Sequence, residues 1–318
     1  MSAVFPPPVA VESIADRGST SIFLSVGLLF AGVMLGSVGH ASLLVAAGGV
    51  FVGLTALWLV RSAYESAPAE RGMAYDLMHA AARGELSLAF QPIVEAADER
   101  IVGFEALLRW SHPRFGDIPP AVFIPVAEAG GQIIEIGAWV IEQACRHAAH
   151  WPAEIRVAVN LSAVQFGDPA LVRVVGDALA ASGIAADRLE LEITESILLG
   201  AGTGAMIARL KRLGVRLALD DFGTGYSSLG YLREAAFGRI KIDRSFVQCA
   251  AAAETRSTAI IEAIVGLADA LGIAITAEGA ETRAEFELCR ALGCGQVQGY
   301  LFGRPMAADA ATALVSRG

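Results

Sequence analysis

From Gly18 to Val60 the chain carries no Asp, Glu, Lys or Arg, a charge-free run of 43 residues. Charge is scarce in the whole sequence too, at 18% of 318 residues, and the mean hydropathy is high at +0.53. Outside the run, however, charged residues return to roughly 21%, the ordinary globular range. The apolar excess is therefore local, which excludes both an all-membrane protein and an intrinsically disordered chain. Basic residues are the minority: 24 Lys and Arg face 33 Asp and Glu, for a net charge of −9. That balance argues against a nucleic-acid polymer as partner, because phosphate backbones demand basic surface. It leaves room for a small phosphorylated ligand held through metal ions. Cysteine is limited to Cys145, Cys249, Cys289 and Cys294, with no CxxC pair. This excludes a disulfide framework and reads as buried free thiols in a reducing compartment.

What the charge-free run does contain is enough apolar length for two membrane spans, each needing about 20 residues. The break falls at Gly36-Ser37-Val38-Gly39-His40, giving spans near 20–36 and 41–60. Trp58 and Arg61 stand where an interfacial belt and a charged flank belong. A cleaved signal peptide fits less well, since the leading segment is not basic and the run is too long. His40 reads as an interfacial residue. The expected organisation is an N-terminal tail (1–19), a two-helix transmembrane hairpin (20–60), a linker (61–73) and a soluble domain (74–318). A hairpin puts both chain ends on one side of a lipid membrane. The chemistry below places them in the cytoplasm, at a bacterial inner membrane.

The soluble part alternates short β-rich runs with longer helical stretches. Strands are expected at Leu88–Val94, Ile101–Trp110, Arg156–Ser162, Leu189–Thr194, Arg216–Asp221, Arg239–Asp243, Ala274–Glu278 and Gln296–Phe302. Eight strands with helices between most of them predict an α/β fold, a (β/α)8 TIM-type barrel. Only Glu95–Arg100 joins the first two strands, too short for a crossover helix, so the first strand should run antiparallel. A helix at Ala74–Arg83 should cover the bottom or side of this modified barrel.

Barrel enzymes keep their chemistry at the C-terminal strand ends. There the sequence places Glu105, Asn160, Glu192 with Glu195 just beyond it, Asp220-Asp221, Lys241, Asp243, Glu278 and Gln298. Carboxylates converging among apolar neighbours are costly unless neutralised, and one lysine is too little. Oxygen donors without His or Cys select hard ions, Mg2+ or Mn2+. One of the paired aspartates could bridge two ions about 4 Å apart, clamping the oxygens of a phosphoryl displacement. Lys241 fits as partner to a metal-bound water or a phosphate; its plain alternative is an ion pair with Asp243. The Gly- and Ser-rich segment Phe222–Leu229 reads as a mobile loop over the site.

These residues resemble the EAL-domain family of cyclic di-GMP phosphodiesterases. Glu105-Ala106-Leu107-Leu108-Arg109-Trp110 is similar to the family signature. The likeness extends through Gln91-Pro92-Ile93, Phe123-Ile124-Pro125, Asn160-Leu161-Ser162 and Glu192-Ile193-Thr194-Glu195. It continues through Asp220–Leu229, Lys241–Phe246, Glu278–Glu281 and Gln298-Gly299-Tyr300. The resemblance implies hydrolysis of cyclic di-GMP to linear pGpG by two Mg2+ or Mn2+ ions. It implies metal ligands Glu105, Asn160, Glu192, Asp220, Asp221 and Glu278, with Lys241 assisting the nucleophilic water and Gln298 positioning it. Gln91, Leu108, Arg109 and Asp243 would line the substrate groove. Glu281 would anchor the loop after the paired aspartates and so link it to a homodimer. Ala235–Gly238 departs from the family pattern near the expected dimer contact, and Ala280 stands where valine is common. A cyclic di-GMP receptor without turnover and a barrel acting on another phosphoester are the alternatives.

Overall fold

In the computed structural model the described residues are 72–198, 200, 202–223 and 237–316. The expected hairpin lies outside them. Among the described residues, no helix is long and apolar enough to cross a membrane.

A helix over 72–80 (α1) leads into β1 (Leu86–Glu95), β2 (Ile101–His112) and β3 (Gly116–Ile118). Helices α2 (Pro120–Gly130) and α3 (Ile133–Ala148) precede β4 (Arg156–Asn160). Next come α4 (Ala163–Phe166), α5 (Leu171–Ser182), β5 (Leu189–Thr194), α6 (Glu195–Leu198), α7 (Thr203–Arg212) and β6 (Arg216–Phe222). Then follow β7 (Arg239–Ile242), α8 (Arg244–Ala251), α9 (Thr255–Leu271), β8 (Ala274–Glu278), α10 (Arg283–Ala291), β9 (Gln296–Gln298), β10 (Met306–Ala307) and α11 (Ala308–Val315).

β2, β4, β5, β6, β7, β8 and β9 pair in that order, all parallel, and β1 closes the ring by pairing antiparallel with both β9 and β2. The result is the expected eight-stranded barrel with one reversed strand. β3 and β10 add short antiparallel edges that the sequence pattern did not signal. At two or three residues each, they are below the length at which periodicity can be read.

The reversed strand also decides between the two expected positions of the leading helix. β2 pairs with β4 only over Gly103–Ala106, so its remaining residues extend past the C-terminal rim, where Trp110 faces Leu86 of β1. A chain entering an antiparallel β1 must come from that end. Asp76 of α1 accordingly lies 3.2 Å from His112, and the Trp110 indole donates to Glu85 at 3.1 Å. Of the two expected positions, bottom or side, the helix takes the side, packed by the end of β2.

The period of two along each strand sorts the residues. Leu189, Leu191 and Ile193 alternate with Glu190 and Glu192, and Ile240 and Ile242 alternate with Arg239 and Lys241; all nine are buried. The apolar set faces outward; around β1, β2 and β4 the covering helix is α3, whose buried stripe runs Ile133, Ile136, Val140, Ile141, Ala144 and Ala148. The polar set points into the barrel. Typical barrels of this kind fill their interior with branched aliphatics; this one holds polar layers. In the lower layer, Arg239 donates to both Glu190 oxygens at 3.0 and 3.2 Å and to the Thr276 hydroxyl at 3.0 Å. These three groups come from three different strands and satisfy one another.

The eighth barrel strand ends at Gln298 rather than at Phe302. At Gly299 the chain passes so close to Ala280 that an added Cβ would sit 1.9 Å from the Ala280 carbonyl oxygen. The strand beginning at Arg156 stops at Asn160, because Ser162 caps α4 by a reciprocal capping box with Gln165. Of the four thiols, three are buried as expected, while Cys249 is exposed. It falls off the stripe formed by Val247 and Ala250, the buried residues of α8.

Removing one member of a buried ion pair leaves an uncompensated charge, a loss of about 3–5 kcal/mol. Glu190→Ala should therefore destabilise the domain by that order. Glu190→Leu combined with Arg239→Met should be less destabilising than Glu190→Ala alone. Denaturant melts of the variants check this; a double variant worse than the single one would refute it.

Candidate active site

The upper polar layer gathers the expected carboxylates around one ammonium. Lys241 Nζ lies 2.7 Å from Glu192, 2.6 Å from Glu278, 3.3 Å from Asp220 and 3.8 Å from Glu105. An ion pair with Asp243 is not what it makes. Asp243 caps α8, accepting from the Ser245 amide at 3.0 Å and the Ser245 hydroxyl at 2.5 Å. Glu105 is held on its other sides by amides: Asn160 donates at 2.6 Å and Gln298 at 2.7 Å. Asp220 accepts from the backbone N–H of Asp221 at 3.0 Å, and Asp221 itself adopts φ +54°, a conformation L residues rarely take. That kink lets two consecutive aspartates serve one end of the barrel instead of opposite faces of the strand.

The charges are unequal, and protonation follows. Burial works against the ammonium of Lys241, but Glu105, Glu192, Glu278 and Asp220 outweigh it and hold the lysine well above its ordinary value. Burial likewise works against a charge on Glu105, yet Lys241 and the Gln298 and Asn160 amides keep it below the usual carboxylate range. Glu192 goes the other way: burial and the neighbouring carboxylates raise it well above, despite Lys241. Burial, with Asp220 and Glu105 adding, pushes Glu278 up to about 7 against the pull of Lys241. Asp221 is raised by burial, then by Asp220 and Asp243.

This donor set fits hard divalent cations. Four carboxylates surround one ammonium, and the buried Oε1 atoms of Glu192 and Gln298 have no hydrogen-bond partner. A buried acceptor left unpaired is rare and costly. As the side chains stand, no three acidic, histidine or cysteine groups among the described residues converge on one ion-sized point; the middle is held by Lys241.

Two depressions flank the centre. A cleft of about 540 Å³ runs past Leu107, Leu108, Arg109, Asn160, Asp220 and Asp221. A smaller one, about 150 Å³, is bordered by Gln91, Arg244, Glu278, Glu281, Gln298 and Tyr300. Leu107 borders both. Arg109 donates to the Leu108 carbonyl at 2.9 Å, and Gln91 sits directly across from Glu105 on β1.

A match to the family model described as EAL domain spans residues 74–305. The chain belongs to the EAL domain family. This EAL domain is 47% identical over 250 residues to an uncharacterized signaling protein of Caulobacter vibrioides, covering 78% of this chain and 31% of that protein. It is 42% identical over 248 residues to the bifunctional diguanylate cyclase/cyclic di-GMP phosphodiesterase MucR of Pseudomonas aeruginosa, covering 76% and 36%. The chain thus spans about a third of the length of these relatives. The solved phosphodiesterase of MucR in complex with c-di-GMP superposes with a TM-score of 0.73 at 42% identity, covering 76% of this chain and 99% of that one.

The sequence reading placed Arg244 and Tyr300 in motifs without giving them a role, and it treated Glu195 only as a neighbour of Glu192. Glu195 accepts the backbone N–H of Gly223 at 2.7 Å, gripping the chain where it leaves β6. Its place at the start of a helix, three residues after a buried glutamate, was the available signal. The segment 224–236, which Glu281 is expected to anchor, lies outside the described residues, as do Ala235 and Ala236. Glu281 is exposed at the rim of the smaller depression.

A carboxyl with a raised folded value holds a proton that the unfolded chain releases. For Glu278 that window runs from the ordinary 4.5 to about 7, and Glu192 shifts the same way. Stability in the presence of chelator should therefore fall as pH rises through this window. Glu278→Gln, neutral throughout, should flatten the fall. Thermal melts across the window test this, and an unchanged slope would remove Glu278 from the titrating set.

Proposed function

We propose that this chain hydrolyses cyclic di-GMP to linear pGpG. The observation that carries the reading is the complete carboxylate and amide ring around Lys241, in a domain whose relative MucR is a cyclic di-GMP phosphodiesterase by name. The runner-up, a receptor without turnover, has no missing ring residue to support it.

The substrate has two guanosine halves joined by two phosphodiesters, which suits a centre flanked by two depressions. Water attacks the scissile phosphorus, the bond from phosphorus to the 3′ oxygen breaks, and the product carries a 5′-phosphate and a free 3′-hydroxyl. Two divalent ions, Mg2+ or Mn2+, held by Glu105, Asn160, Glu192, Asp220, Asp221 and Glu278, would supply the activation of water and the charge at the leaving oxygen. Lys241, kept protonated by its carboxylates, is a hydrogen-bond donor and not a base. It orients the attacking water or a phosphate oxygen. Gln298 fixes Glu105 and presents its unpaired Oε1 to the same water. Arg109 lies along the larger cleft, which the paired aspartates also line, with donors suited to a phosphate oxygen. Gln91 borders the other side.

We further propose that residues 20–60 anchor the chain in a bacterial inner membrane as a hairpin, with the domain in the cytoplasm, and that the domain self-associates as a homodimer. The charge-free run supports the anchor, the nucleotide substrate supports the cytoplasmic side, and the family resemblance supports the homodimer.

Full-length protein incubated with cyclic di-GMP and Mg2+ or Mn2+ should release pGpG, read by chromatography. Glu105→Ala and Lys241→Ala should each lower kcat by at least about a hundredfold. Tight binding without pGpG would replace the enzyme with a receptor, and neither binding nor turnover would favour another phosphoester. Cell fractionation should recover full-length chain with the membrane and residues 62–318 in the soluble fraction; a full-length chain found soluble would refute the anchor.

A further inference from the structure

We propose that Cys289 and Cys294 form a redox-active pair, a modification site in which mild oxidation closes a disulfide across the turn from α10 to β9. The backbone sets this up. The amide of Cys294 donates to the Cys289 carbonyl at 3.0 Å, that of Gly293 donates to the Arg290 carbonyl at 3.1 Å, and Gly293 has φ +91°. These bonds define a Schellman ending, which sets the residue after the glycine against the residue three from the helix end. Two aliphatic side chains usually fill that contact. Here two thiols do, 0% and 2% exposed.

The hydrogen bond across the turn also bounds the span. Standard bond lengths around a 3.0 Å N···O contact keep the two Cα atoms within about 7 Å, and a disulfide accepts roughly 4.4–6.8 Å. The backbone span across this turn is thus within the reach of a disulfide. Either sulfur can attack first, and the other resolves it. With hydrogen peroxide as oxidant, the first thiolate attacks one peroxide oxygen and hydroxide leaves, giving a sulfenic acid. The other thiol then attacks that sulfur and water leaves, so that two thiols and one peroxide give one disulfide and two waters. Cys145 lies buried in α3 and Cys249 contacts Glu254. The site is separate from the carboxylate ring, so the inference does not rest on the phosphodiesterase reading.

Arg290 lies between the two cysteines, so trypsin separates them into peptides 284–290 and 291–317, the bond before Pro305 resisting cleavage. Full-length protein treated with hydrogen peroxide, alkylated and digested without reductant should yield these two peptides joined, with two hydrogens lost. Dithiothreitol should separate them. Cys249→Ser should retain the link, whereas Cys294→Ser should leave Cys289 as a sulfenic acid trapped by dimedone. Recovery of the two native peptides unlinked, whether alkylated or over-oxidised, overturns the proposal.

Discussion

One lysine ammonium inside a ring of four carboxylates is the constraint around which the upper barrel is organised. The ring carries more negative charge than Lys241 can answer, and every property of the site follows from that surplus. The charge settles on Glu105, which has two amides to receive it. Glu192 and Glu278 respond by holding protons more tightly. A cluster of this kind is poorly solvated and electrostatically strained while cation-poor. It is correspondingly receptive to added positive charge and, through it, to a phosphate diester.

The layer beneath behaves in the opposite way. Arg239, Glu190 and Thr276 balance charge against charge and donor against acceptor, with few lone pairs to spare. The same strands carry both layers, two residues apart. A satisfied network supports the fold, and an unsatisfied one is poised to bind something; the contrast separates the two roles without reference to any relative. Helix caps complete the scaffold. Asp243 begins α8 immediately after the lysine strand, and Thr282 with Glu285 begins α10 shortly after Glu278. The strand ends that bear the site are thus fixed from behind.

Much of this was legible in the sequence, for definite reasons. Leu189–Thr194 and Ala274–Glu278 were read to the residue, because alternating side chains bounded by turns leave little freedom. The six-residue link between β1 and β2 dictated the reversed strand. Acidic residues near strand ends were visible because they interrupt apolar runs. Glu190 and Arg239 interrupt such runs equally, yet they sit at strand beginnings, where a sequence gives no hint that distant residues will meet. The choice of side over bottom for α1 and the grip of Glu195 on Gly223 depend on which end of the barrel each element reaches, a property of topology and not of local pattern. The early end of β9 depends on a close approach between Gly299 and Ala280 that no periodicity records.

The alternation along β5 and β7 carries a liability. A slip of one residue in either strand would turn its whole charged set out against the helices and its leucines and isoleucines into the barrel. No intermediate register is tolerable, because each slipped strand would leave two unpaired charges in an apolar shell. Single-residue insertions or deletions in these strands should therefore be excluded by selection far more strictly than substitutions, whereas the loops beyond the strand ends are free to vary in length. The barrel's electrostatics act as a ruler that fixes where each strand must start.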